Sequence, residues 1–181
     1  MDKRLDFSVL LKSYQTARTD TTFTLRAMEA SDEGHFRHFY AQSRAAELAP
    51  VNWTAQEKLA FCNAQYDLQD AHYRKFYEDF TPLAICIDDI VVGRVYLSNM
   101  DNLCLLMDII VEAQYQRRGI ARTIIASLCA QADMNTQAIN LHVEPLNPAR
   151  KLYQQFGFVD LPNQTEEQIS IEMRRSAVVK R

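Results

Sequence analysis

One glycine separates a strand-like run from a helix-like stripe, in the segment Gln116-Arg117-Arg118-Gly119-Ile120-Ala121. Before it, Leu103 to Val111 is mostly apolar and reads as a strand; after it, Ile120, Ile124, Leu128 and Ala132 recur at helical spacing. A turn that ends a strand and opens a helix presents bare backbone N–H groups, because the first four amides of a helix have no intrahelical acceptor. The macrodipole favours negative charge at the same end. Gly119 lets a ligand approach the backbone closely, and Arg117, Arg118 and Arg122 add formal positive charge. The segment is a cradle for phosphate.

No Gly-Lys-Ser/Thr follows the turn and no Gly-x-Gly-x-x-Gly is present, which excludes the P-loop and dinucleotide fingerprints. The spacing is instead Gln/Arg-x-x-Gly-x-Gly/Ala, with Ala121 in the last place. A second block, Leu141 to Phe158, carries Asn-x-Ala-x-x-Leu-Tyr-x-x-x-Gly-Phe on Asn147, Ala149, Leu152, Tyr153, Gly157 and Phe158. Together the two blocks resemble the signatures of the GNAT N-acetyltransferase superfamily, and the likeness extends more loosely from about Phe23 to about Met173. The resemblance implies an α/β domain: a central mixed, mostly antiparallel sheet of about six or seven strands flanked by about four helices. It also implies an enzyme that takes acetyl-CoA as co-substrate and transfers the acetyl group to a primary amine of a small molecule or protein by direct attack. The residues it assigns to acyl-CoA are Ile109, Ile110, Val111, Gln116, Arg117, Arg118, Gly119, Ile120, Ala121, Arg122, Asn147 and Ala149.

With 181 residues the chain suits a single domain, expected over 23–175 with an N-terminal extension at 1–22 and a tail at 176–181. Acidic residues exceed basic ones by 23 to 20, which gives no basic face for nucleic acid. No apolar run approaches the ~18 residues that cross a bilayer, and Met1 to Asp6 lacks the apolar core of a secretory signal. Cys62, Cys86, Cys104 and Cys129 are widely spaced without a Cys-x-x-Cys pair, as expected of reduced core thiols in a cytoplasmic protein. His35, His38, His72 and His142 form no ligand set, so no metal is expected; association as a homodimer is left open.

Residues 1–22 are polar with scattered apolar positions, consistent with a docked arm or partial disorder. Strands are expected at Phe23–Arg26, Pro82–Ile87, Ile90–Tyr96, Leu103–Val111, Ile139–Val143 and Gln168–Met173, with turns at Asp88-Asp89 and at 99–102. Ser31 or Asp32 can cap a first helix, and Thr54-Ala55-Gln56-Glu57 is a capping box for a second helix that runs to about Tyr77. The last helix, Pro148 to Phe156, has Asn147 as N-cap and Gly157 past its end. A helix between two strands of one sheet makes a right-handed parallel crossover, so the sheet is mixed.

Tyr153 shares a stripe with Ala149, Leu152 and Phe156, and the spacing alone serves a core aromatic equally well. The resemblance places it beside the acyl-CoA sulfur. There a hydroxyl of ordinary pKa ~10 is protonated and can supply the proton that stops a departing thiolate from recapture. The resemblance likewise assigns the oxyanion donor to a backbone N–H in Ile109-Ile110-Val111, and the same strand edge pairs with the pantetheine arm. Asn147 contacts that arm or simply caps its helix.

An amine of pKa ~10.4 must lose a proton before it attacks. Asp108, on a central strand between Met107 and Ile109, is the most conspicuous base; the alternative is a structural ion pair with Arg94. Glu144 and Glu47 are rivals. The first two helices and their loop wall the acceptor pocket in the fold so implied, and contribute Arg44, Glu47, Trp53 and Tyr73, with Gln65, Gln69 and His72 nearby. A non-catalytic acyl-CoA sensor or scaffold is the competing function. A nucleotide-binding protein of another type lacks its phosphate lysine and ribose carboxylate.

Overall fold

The computed structural model describes residues 4–17, 19–100, 103–162 and 170–178. Eight strands form one sheet: β1 (Ser13–Gln15), β2 (Thr22–Ala27), β3 (Thr81–Ile87), β4 (Ile90–Met100), β5 (Leu103–Val111), β6 (Ala138–Val143), β7 (Val159–Asp160) and β8 (Ile171–Arg175). Their order is β1-β2-β3-β4-β5-β6-β8-β7. The helices are α1 (Glu33–Leu48), α2 (Ala55–Phe76), α3 (Ile120–Met134) and α4 (Ala149–Gln155). The strand count exceeds the six or seven expected, because β1 and β7 are edge strands of three and two residues, too short to show an alternation. β4 also continues past Tyr96 to Met100, and the closing strand is displaced toward Arg175. Asp101 and Asn102 of the expected turn, and Gln168 and Ile169 of the expected last strand, lie outside the described residues.

Local chemistry accounts for the punctuation. Asp88 and Asp89 take positive φ (48° and 62°) in the two-residue turn between β3 and β4, a backbone that matches strand twist. At the start of α2, Thr54 N–H donates to Glu57 Oε2 (2.7 Å) and Glu57 N–H donates to Thr54 Oγ1 (3.2 Å), the reciprocal bonds of a capping box. Asp32 instead turns its carboxylate back, accepting both guanidinium nitrogens of Arg26 (2.6 and 2.8 Å) and the Glu29 N–H (2.8 Å). That bond set fixes the corner between β2 and α1.

Two cores sandwich the sheet. On one face Phe23, Ile85, Val95, Leu97 and Leu106 pack with Ile124 and Leu128 of α3 and with Phe158. Leu5, Phe7 and Leu10 are buried in this same core, and the Asn99 amide clamps both backbone groups of Leu5 (3.1 and 3.0 Å). On the other face Phe36, Phe39 and Tyr40 of α1 and Cys62 and Tyr66 of α2 cover Ala84, Cys86 and Tyr96. A fully buried aliphatic side chain is worth about 1.5–3 kcal/mol, so these two layers hold the helices to the sheet.

β5 and β6 run parallel, linked by α3 as the crossover, and they pair only from Leu103↔Ala138 to Leu106↔Leu141. Beyond Leu106 they part. At the parting point β5 bulges: Leu97 faces Leu106 and Tyr96 faces Asp108, with Met107 as the extra residue. The bulge reverses the alternation. Cys104 and Leu106 belong to the α3 core, and after the bulge it is Ile109 and Val111 that pack there, while Met107 and Ile110 pack with the α1–α2 core.

Candidate active site

The gap between β5 and β6 is the floor of a cleft. One part, of about 940 Å³, is lined by Tyr40, Ser43 and Arg44 of α1, Gln69 and Tyr73 of α2, and Arg94. Across from them stand β5 residues 106–111, His142, Glu144, Asn147, Ala149, Tyr153 and Ser170. The adjoining part, of about 740 Å³, lies at the start of α3 and is lined by Thr19, Tyr115, Gln116, Arg117, Gly119, Ile120, Ala121, Arg122 and Gln155. Both parts touch Val111, Gln116, Ala121, Pro148 and Leu152, so they are one continuous cleft.

At its α3 end the chain must turn sharply. Arg117 and Gly119 both adopt positive φ (62° and 88°). Gly119 suits this backbone, which L side chains rarely adopt, and a β-carbon on it would touch Thr16 Cβ (3.4 Å). The glycine therefore shapes the loop as well as leaving room beside it. Gln116 Nε2 donates to the Val111 carbonyl (2.8 Å) and ties the loop to the end of β5. The Thr19 hydroxyl donates to the Arg118 carbonyl (2.9 Å), so a threonine on the β1–β2 turn buttresses the loop from behind. No motif in the sequence pointed to Thr16 or Thr19.

The first intrahelical bond of α3 runs from Thr123 N–H to the Gly119 carbonyl (2.9 Å). The N–H groups of Ile120, Ala121 and Arg122 precede it and have no intrahelical acceptor. Arg118 lies over the Tyr115 ring and donates to the Gln114 carbonyl; Arg122 lies over Phe156 and donates to Gln155. Arg117 is exposed. Arg117 and Arg122 line the cleft and Arg118 does not; bare amides, two guanidinium groups and a strand edge unpaired by β6 suit an elongated ligand with an anionic head.

Tyr153 is buried, packed against Phe158 (5.7 Å between centroids), yet it also lines the cleft. Among the described residues its hydroxyl has no hydrogen-bond partner. Burial, reinforced by the negative charge of Asp108, pushes its pKa well above that of free tyrosine, so it stays protonated at neutral pH. Tyr73 is pushed up to about 12 by the same two causes. The negative charge of Asp108 thus raises both hydroxyls, after burial itself.

Asp108 is paired with Arg94: Nε and Nη2 reach Oδ2 at 2.9 and 2.7 Å. Arg94 is almost wholly buried, donates also to the Phe36 carbonyl (3.0 Å), and lies over the Tyr96 ring (4.6 Å). The Asp108 side chain keeps 26% of its surface, toward the cleft. Asn147 Oδ1 accepts the Ala149 N–H (2.9 Å), so it is the functional cap of α4 although the helix proper begins at Ala149.

The acceptor residues expected from the sequence divide. Arg44, Gln69 and Tyr73 line the cleft; Glu47, Trp53, Gln65 and His72 do not. Glu47 is taken by Arg44 on the same helix (3.0 Å), and Trp53 packs against Phe61 (5.4 Å) with 44% of its surface exposed. Residue type had drawn attention to these positions, but the phase of each helix decides which side chains turn inward.

A profile of the acetyltransferase (GNAT) family matches residues 45–158. The chain therefore belongs to that family, and the class of protein it defines is an acyltransferase. Solved structures agree on the fold. PaiA N-acetyltransferase from Thermoplasma acidophilum, in complex with coenzyme A, superposes with a TM-score of 0.64 at 13% identity, covering 85% of this chain and 98% of that one. The ribosomal-protein-S18-alanine N-acetyltransferase from Escherichia coli gives 0.58 at 16% identity, over 87% and 96%. Spermidine N-acetyltransferase from Vibrio cholerae, in complex with CoA and spermine, gives 0.57 at 22% identity, over 84% and 92%. No curated protein sequence matches the chain. Among the described residues, no helix is long and apolar enough to cross a membrane.

Proposed function

We propose that this acyltransferase is an acetyl-CoA-dependent N-acetyltransferase acting on a primary amine of a small molecule or protein. The observation that supports the reading is that Tyr153 lines the cleft together with Asp108 and the β5 edge, with no hydrogen-bond partner for its hydroxyl among the described residues. A family member used only for binding has no need of a proton donor there.

The phosphates are held by the amides of Ile120, Ala121 and Arg122, with Arg117 and Arg122 around them. The unpaired edge of β5 at Ile109, Ile110 and Val111 pairs with the amide-bearing arm as an added strand, and Asn147 and Ala149 border it from α4. Acyl-CoA supplies a thioester carbonyl and a thiol leaving group. A backbone N–H of the β5 edge is the donor for charge that develops on that carbonyl oxygen. The amine nitrogen bonds the carbonyl carbon, the carbon–sulfur bond breaks, and Tyr153 gives its proton to the sulfur, regaining one from solvent.

Asp108 faces the amine. With Oδ2 committed to Arg94, its remaining oxygen anchors the arriving ammonium and receives or relays the proton lost before attack. Arg44 and Tyr73 border the acceptor on the helix side. The test is to incubate the protein with acetyl-CoA and a panel of alkylamines, amino acids and peptides with free N-termini, following thiol release. Amine-dependent release supports the enzyme. Tight acetyl-CoA binding with no release for any amine supports a sensor instead.

A further inference from the structure

The inner face of α2 carries Cys62, Tyr66 and Tyr73 against the sheet, as any amphipathic helix would. Its outer face is largely polar, but one narrow stripe of it is apolar between two charged ends. Glu57, Phe61, Ala64, Leu68, Ala71 and Lys75 are all exposed, with Leu68 at 65% and Phe61 at 38%. Their spacing is 4-3-4-3-4, the repeat that keeps one stripe of a helix facing another helix. At 1.5 Å per residue the stripe is about 27 Å long. Single exposed apolar residues need no explanation, but a continuous seam on a 22-residue helix does.

We propose that this seam is a dimer interface, on which a second copy of the chain lays its own α2 antiparallel across a two-fold axis beside residue 66. That register sets large against small: Phe61 opposite the partner's Ala71, and Leu68 opposite the partner's Ala64. It closes both ends with Glu57 opposite the partner's Lys75. Trp53 and Phe76, exposed at opposite ends of α2, are brought to the same end of the pair. A parallel pair would stack Phe61 and Leu68 on their own copies, leave gaps between facing alanines, and oppose like charges at both ends. The seam is therefore complementary to itself in one direction only, and a C2 interface demands that self-complementarity. A pair of helices buries less than a standard interface, so the dimer is a weak one that forms with concentration.

Sedimentation velocity of the full chain over about three decades of concentration, up to ~500 μM, gives the first test. A reversible monomer–dimer equilibrium is expected; a monomer throughout overturns the proposal. Leu68→Glu, an exposed position on the helix, should fold as the parent and weaken dimerisation at least about a hundredfold, because symmetry removes the side chain twice. Lys75→Glu should weaken it as well, by facing Glu57 with a like charge. A dimer unaffected by Leu68→Glu uses another surface, which also overturns the proposal. Direction is read by cross-linking: Ala64→Cys and Leu68→Cys chains, mixed and oxidised, should join to each other. Efficient joining of Ala64→Cys chains alone indicates a parallel pair and refutes the register.

Discussion

Gly93→Ala should be the most damaging single methyl group that can be added to this protein. Gly93 lies in β4 opposite Val111, next to the irregularity where β3 and β4 shift register. A β-carbon there would sit 2.3 Å from the Ile110 carbonyl oxygen, 3.0 Å from Ile85 Cδ1 and 3.2 Å from Val111 Cα. Carbon and oxygen ordinarily approach to about 3.3 Å, so β5 must retreat by about 1 Å. Two of the three obstacles are backbone atoms of β5, which cannot rotate aside as a side-chain tip can. Overpacking of this kind costs about 1–3 kcal/mol, and the upper end applies here. For a chain of this size that is a fall in Tm of about 6–12 °C. Because Ile110 also lies on the cleft edge of β5, the same displacement should weaken acetyl-CoA binding. Thermal and urea unfolding, each with and without acetyl-CoA, measure both effects. Gly34→Ala is the control: a β-carbon there meets nothing within 4 Å in the first turn of α1, and should stabilise by about 0.5–1 kcal/mol. A Gly93→Ala protein that melts within about 1 °C of the parent refutes the close-approach argument.

Tyr153→Phe should lower turnover at least about tenfold while leaving acetyl-CoA affinity and Tm nearly unchanged, since the hydroxyl lost bonds to nothing among the described residues; equal rates in steady-state kinetics return Tyr153 to the core. Arg117→Gly should separate stability from function. Relief of the positive φ raises stability by about 1 kcal/mol while loss of the guanidinium weakens acetyl-CoA binding, and calorimetry reads both. Asp32→Asn should cost about 2 kcal/mol at pH 7 by breaking the bidentate bond to Arg26. That bond, foremost, holds the Asp32 carboxyl below its unfolded pKa of about 3.9. The stability it contributes is thus complete above that value and lost as pH falls through the lower, folded one, so denaturation curves of parent and variant should begin to converge below about pH 4 and meet only below the folded value.

What was legible in the sequence was whatever depends on neighbours along the chain. The capping box at Thr54 and Glu57, the cap at Asn147, the aspartate turn before β4 and the glycine at the start of α3 each act within a few residues. The pairing of Asp108 with Arg94 was also foreseeable, since adjacent antiparallel strands leave few partners for a charge. The bulge at Met107 was not, because apolar residues on both sides of it hide the change of phase. Without that extra residue Asp108 would face the α3 core instead of Arg94. That Glu47 and Trp53 lie off the cleft was not legible for the same kind of reason: both faces of the helical pair carry polar and aromatic groups, so composition does not tell inward from outward. The support that Thr16 and Thr19 give to the α3 loop depends on a contact across about a hundred residues, and no local pattern records it.

Four residue pairs hold β5 to β6, and past them the sheet is torn. On one side of the tear are β1 to β5 with α1 and α2; on the other are β6, β8, β7 and α4, tethered by α3. The smaller part shares the α3-side core with the larger one, but with so few strand pairs between them it is expected to open at lower free energy than the larger part unfolds. A ligand laid along the free edge of β5 and touching α4 spans the tear as a suture, replacing the hydrogen bonds that β6 withholds. Amides of β8 should then exchange with solvent faster than those of β3 and β4 in the free protein, and slow sharply on acetyl-CoA saturation. Slowed exchange would make the co-substrate, while bound, a structural member of the fold as well as a reactant.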